Sequence, residues 1–143
     1  MEIINPGNLA KPIGFNHGIL TRSGRILWLA GQDASDPDGR VVAPGDLPAQ
    51  FEQVLKNLKA VLHHAGGELE QIVKLNIYTT DMQSYKANLE SLGVLMKQYF
   101  HGHYPALALF EVKGLYQAEA MIEMEGFAIL AQDLGSEPPA VFG

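Results

Sequence analysis

Residues 104–130 read YPALALFEVKGLYQAEAMIEMEGFAIL. The stretch divides into two strands joined by a seven-residue connection, Lys113 to Glu119. In the first strand Leu107, Leu109 and Glu111 share one face, and Ala106, Ala108, Phe110 and Val112 share the other. In the second, Met121, Glu123, Glu125 and Phe127 alternate with Ile122, Met124, Gly126 and Ala128. Read as a hairpin, the pair is largely apolar on both faces, and one face also carries carboxylates. A sheet covered by its own helices on one side is expected to be polar on the other. The second face is therefore expected to meet something, most simply another copy of the chain.

Upstream, Met1 to Lys11 contains Asn5-Pro6-Gly7-Asn8 and reads as a turn-rich lead-in. Ile13 to Thr21 is expected as a first strand. Ile26 to Ala30 is a continuous apolar run that suits a strand buried on both faces. It ends at Gly31-Gln32, where a glycine lets a ligand or a neighbouring chain approach the backbone. Asp33 to Asp46 reads as a loop, with a short edge strand at Arg40 to Val42. Asp46 is a helix N-cap with Pro48 in the first turn. Phe51, Val54, Leu55, Leu58, Val61 and Leu62 then recur at helical spacing until Gly66-Gly67. Val73 to Thr79 alternates as a strand. Asp81 caps a second helix, with Tyr85, Leu89, Leu92, Leu95, Met96 and Tyr99 as its buried stripe. The predicted order is β-β-(β)-α-β-α-β-β in one domain over residues 1–130. This is an α+β sandwich with two helices on one face of a mixed sheet. Residues 131–143, with Gly135, Pro138 and Pro139, read as a loose tail.

Composition narrows the function. The chain has 143 residues, 47% of them apolar and 18% charged, and a net charge of -6. Its basic residues are scattered, which argues against nucleic acid as a partner. It has no cysteine, so thiolate catalysis and Cys-based metal sites are excluded. No apolar run reaches the roughly 18 residues of a membrane span, so no membrane contact and a cytoplasmic location are expected. No P-loop, nucleophile elbow or dinucleotide fingerprint occurs, and no cofactor is expected.

Four segments recur in a telling order: Leu29-Ala30-Gly31-Gln32, the helix Gln50 to Gly66, Ile72 to Tyr78 followed by Asp81-Met82, and Tyr104-Pro105-Ala106 leading to Ile122-Glu123-Met124-Glu125. In this order and spacing the chain resembles the RidA/YjgF family, also called endoribonuclease L-PSP. The resemblance implies a chorismate-mutase-like sandwich whose sheets join into a trimeric barrel, with clefts between subunits. It also implies hydrolysis of reactive imines and enamines, made by amino-acid-metabolising enzymes, to a 2-oxo acid and ammonia. Glu123 matches the carboxylate that orients the attacking water. Gly31 matches the glycine whose backbone faces the ligand, and Phe15 matches a cleft tyrosine without its hydroxyl. Asn88 lies near the family's helix asparagine. The family's carboxylate-binding arginine is Leu107 here, and Leu109 stands where cysteine is often found.

That arginine is worth about 1.5–3 kcal/mol per charged hydrogen bond. Its replacement implies a loss of about ten- to a hundredfold in affinity for small 2-imino acids. A larger or neutral ligand is expected, in a cleft formed by Leu107, Leu109, Phe15 and Met121. Arg22, Arg25 and Lys113 are the alternative cation donors. Glu125 points the same way as Glu123, and two carboxylates sharing a dry site raise each other's proton affinity. His17 is a candidate ligand contact. His101 and His103 form an H-x-H pair with no third ligand at fitting spacing, so no metal is expected. The leading expectation is a homotrimeric imine or enamine hydrolase with Glu123 catalytic. The alternative is a non-catalytic trimer that binds a small metabolite, and RNA cleavage ranks below both.

Overall fold

The longest helix begins where the sequence places its cap. The Asp46 carboxylate accepts the Ala49 N–H at 3.1 Å, and Pro48 fills a first-turn position that needs no donor. Helix α1 runs Leu47–His64 and buries Leu47, Gln50, Phe51, Val54, Leu55, Leu58 and Leu62. Ala65 closes it, and Gly66 turns the chain with a φ of +83°. The computed structural model describes residues 1–132 of the chain. From residue 133 onward, the expected tail lies outside the described residues.

Strands β3 (Arg25–Gln32), β4 (Ile72–Thr79), β5 (Ala106–Glu111) and β6 (Ile122–Leu130) form one mixed sheet in the order β3-β6-β4-β5. The predicted hairpin of residues 104–130 is therefore corrected. Strand β4 lies between its two strands, parallel to β5 and antiparallel to β6. The parallel pair is reached by a helical crossover, as parallel neighbours require. Leu29, Leu75, Ile77, Ile122, Met124 and Ala128 face the helices and are buried. Ile26, Trp28 and Phe110 lie on the open face, Trp28 with 70% of its surface exposed. Trp28 leans on Phe127, with ring centroids 5.1 Å apart. The expectation that Ile26 to Ala30 is buried on both faces thus fails for the single protomer, which leaves aromatic surface open on one side.

Two further elements differ from expectation. The second helix is broken into α2 (Met82–Ala87) and α3 (Leu89–Phe100) at Asn88, whose φ and ψ of -105° and 14° are not helical. Asp81 caps α2, as expected, by accepting the Ser84 N–H at 3.0 Å. The break turns Leu89 outward, while Tyr85, Leu92, Met96 and Phe100 stay buried. At the N-terminus, the lead-in supplies strand β1 (Glu2–Ile4), which pairs with β2 (Gly18–Leu20), so the first strand is shorter than Ile13 to Thr21. Asn16 instead fastens that segment to the sheet edge. Its N–H donates to the Pro105 carbonyl at 3.0 Å and its side-chain amide to the Tyr104 carbonyl at 2.6 Å. Arg40 to Val42 makes only a bridge, Ser35 to Val41. The α+β sandwich with a mixed sheet and helices on one face stands.

Candidate functional site

Alternation along β6 sets Glu123 and Glu125 on the open face, beside Tyr78 of β4. With Gly31, Val112, Gly114 and Leu115 these three side chains line a cavity of about 260 Å³. The Tyr78 hydroxyl donates to Glu125 Oε1 at 2.5 Å, and its ring stacks on Phe110 at 5.8 Å. Glu123 has no such donor among the hydrogen bonds of the described residues. Burial, with the charges of Asp33 and Glu125, pushes its carboxyl above the ordinary glutamate value. The hydrogen bond to Glu125 and burial likewise push the Tyr78 phenol up. The Glu123 carboxylate lies against Gly31, where even a methyl group would overlap it. Glycine at 31 is therefore what lets this carboxylate occupy its place.

The surroundings of Glu123 are held from α1. Gln50, fully buried, accepts the Met121 N–H at 2.8 Å and donates to the Glu119 carbonyl at 2.9 Å. This fixes the chain two residues before Glu123. Asn57 donates to the carbonyls of Asp33 and Ser35 at 3.0 and 2.9 Å. The Ser35 hydroxyl and N–H both donate to the Asp33 carboxylate.

Phe15, Leu107 and Leu109 are brought together elsewhere. They line a second cavity of about 510 Å³ on the helix side, with Tyr85, Leu92 and Met96 as its floor and Ile13, Leu89 and Tyr104 among its walls. Burial raises the Tyr85 hydroxyl to about 12, so it is neutral there. Within the single chain the sheet stands between Leu107 and Glu123. Leu107 and Leu109 pair with Leu75 and Ile77 on the face opposite the carboxylates. Met121 packs on the core rather than lining this cavity. His17 meets Phe15 edge-on at 5.3 Å, but its ring bonds the Ala10 carbonyl at 2.7 Å and is not among the lining residues. Asn88 turns its amide back onto the Ser84 carbonyl at 2.8 Å, next to Leu89 at the cavity edge.

Of the alternative cations, Arg25 pairs with Leu130, seven residues along β6 from Glu123, or roughly 23 Å. Arg22 borders a separate depression with Leu130, at the same end of the sheet. Lys113 is exposed. His101 bonds Glu70 at 2.5 Å, and among the described residues no cluster of three metal-ligating side chains forms. Sequence reasoning missed Tyr78, Asp33 and Gln50 as site residues. A signal existed for Gln50, a polar residue four positions before Val54 on the apolar stripe. For Tyr78 none existed, because its bond to Glu125 depends on β4 lying beside β6.

The profile of the family described as Endoribonuclease L-PSP matches residues 9–130. A RutC family protein of Pyrococcus horikoshii is 34% identical over 128 residues, 89% of this chain and 96% of its own. The crystal structure of the Rid family protein YyfB from Yersinia pestis superposes with a TM-score of 0.82 at 36% identity, covering 90% of this chain and 98% of that one. Yeast Mmf1 gives a TM-score of 0.64 at 25% identity, with 90% and 93% covered.

Proposed function

Since the chain belongs to the endoribonuclease L-PSP family, the RidA/YjgF group, we propose that it hydrolyses an imine, enamine or related C=N metabolite. The observation that carries this reading is Glu123, held without a hydrogen-bonded partner against the Gly31 backbone in a cavity open to a small molecule. Water adds to the imine carbon, the nitrogen takes up protons, and the C–N bond breaks to leave a carbonyl and ammonia. Two carboxylates in unlike surroundings divide this work. Glu125 accepts the Tyr78 hydroxyl, which holds that carboxyl in place beside the reacting centre. Glu123, with its raised proton affinity, places the water and passes its proton to the departing nitrogen.

The complete site is an inter-subunit cleft of a homotrimer. One subunit contributes the acidic cavity, and a neighbour contributes the apolar cavity of Phe15, Leu107 and Leu109. Two facts support this: the halves lie on opposite faces of one protomer's sheet, and Ile26, Trp28 and Phe110 stand exposed on the face that carries the carboxylates. Timing ammonia release from an amino-acid oxidase reaction, with and without the protein, tests the chemistry. Acceleration that disappears in Glu123→Gln supports it, and no acceleration with any amino acid refutes it.

A second reading, a trimer that binds a metabolite without turning it over, is favoured by Leu107 in place of the clamping arginine. In that case Glu123→Gln leaves ligand affinity intact and there is no turnover to lose. RNA cleavage, which the family description names, fits poorly with a net charge of -6 and a cavity lined by carboxylates.

A further inference from the structure

The two half-sites together restrict the charge of the substrate. The 510 Å³ cavity is in the size range of small-molecule sites, and none of the residues that line it, all described, is Lys, Arg or His. Leu107 and Leu109 form part of its wall, and the Tyr85 and Tyr104 rings carry the only polar side-chain atoms. The 260 Å³ cavity presents Glu123 and Glu125, with Asp33 close enough to act on Glu123 electrostatically. A 2-imino acid brings a carboxylate to every such complex. Here that group meets either an apolar wall that cannot solvate it or carboxylates that repel it. A protonated imine of an aldehyde or ketone meets neither problem. Its cationic nitrogen is drawn to Glu123 and Glu125, and an apolar side chain fills the other cavity.

We infer that the substrate is a carboxylate-free imine bearing an aromatic or branched aliphatic group, of the kind an amine oxidase releases from a primary amine. The inference rests on the hydrolytic reading above and narrows it. The step is R–CH=NH + H₂O → R–CHO + NH₃: the water oxygen bonds to the imine carbon, the C–N bond breaks, and the nitrogen leaves with the two protons the water supplied.

Two measurements on the full chain test it. In the first, imines are made in place, from benzylamine by a monoamine oxidase and from alanine by an amino-acid oxidase. Ammonia release from the benzylamine imine is expected to be accelerated at least about tenfold more than from the alanine imine. Leu107→Arg is expected to reverse that order. An equal or opposite preference in the unaltered protein overturns the inference while leaving hydrolysis standing. In the second, calorimetry compares phenylacetamide with phenylacetate, which have the same shape and differ by one charge. The amide is expected to bind at least about tenfold more tightly. Tighter binding of phenylacetate overturns the inference whether or not any imine is hydrolysed. Tighter binding of the amide with no imine turned over upholds the charge selection and refutes the hydrolytic reading alone.

Discussion

Replacing Gln50 with leucine tests whether α1 anchors the start of β6, the strand that carries Glu123. Gln50 is fully buried and joins α1 to Glu119 and Met121 by hydrogen bonds of 2.9 and 2.8 Å, with a longer one of 3.3 Å to Ala43. Leucine keeps the volume but leaves the Met121 N–H and the Glu119 carbonyl facing an apolar side chain. Each unpaired group costs about 1–3 kcal/mol. The added apolar burial returns about 1 kcal/mol. The net loss is about 1–5 kcal/mol, which lowers the melting temperature of a chain this long by about 3 °C for each kcal/mol. Calorimetry at one fixed protein concentration measures it, because association would otherwise shift the midpoint. Turnover is expected to fall further than stability accounts for at a temperature where both proteins are folded, since Glu123 lies two residues beyond Met121. A loss under about 1 kcal/mol with unchanged turnover would refute the anchoring role.

Gly31→Ala pushes the Glu123 carboxylate aside, and turnover is expected to fall at least about tenfold with little change in urea denaturation. Gly126→Ala sets a methyl group onto the Lys74 carbonyl in the adjoining strand, where backbone cannot yield cheaply. A destabilisation of about 3 kcal/mol or more is expected in the same denaturation assay. Glu123→Gln is expected to lower turnover by about 10²–10⁴. The same variant has a signed pH dependence. The folded state holds the Glu123 proton more tightly than the unfolded chain, so ionising it costs stability as pH rises from the ordinary value of 4.5 through the raised one. Glu123→Gln is therefore expected to gain stability relative to the unaltered protein over that window, and melting curves at a series of pH values will read the crossover.

Much of this architecture could be read locally. Helix α1, its Asp46 cap and its Gly66 stop follow from periodicity and capping alone, and so does the shared direction of Glu123 and Glu125. What could not be read was strand order. Residues 104–130 look like a hairpin because neighbours in sequence often pair, yet β4 enters between them and accepts β5 in parallel. That one fact separates Leu107 from Glu123 and brings Tyr78 to Glu125. The N-terminal segment misled for another reason. Ile13 to His17 is apolar enough for a strand, but it serves as the wall of a cavity and is tied down through Asn16. The break at Asn88 arises because its side chain bonds a carbonyl of the preceding turn, a local competition that a count of apolar positions misses.

Shared sites can be tested by mixing. Glu123→Gln disables the acidic half and Leu107→Glu the apolar half, and each variant alone is expected to be inactive. Unfolded and refolded together in equal amounts, they should form mixed trimers in which about a quarter of the interfaces join two intact halves. Recovery of about a quarter of full activity is the predicted result. A mixture as inactive as its components, with hetero-trimers demonstrably formed, would contradict a site built from two subunits.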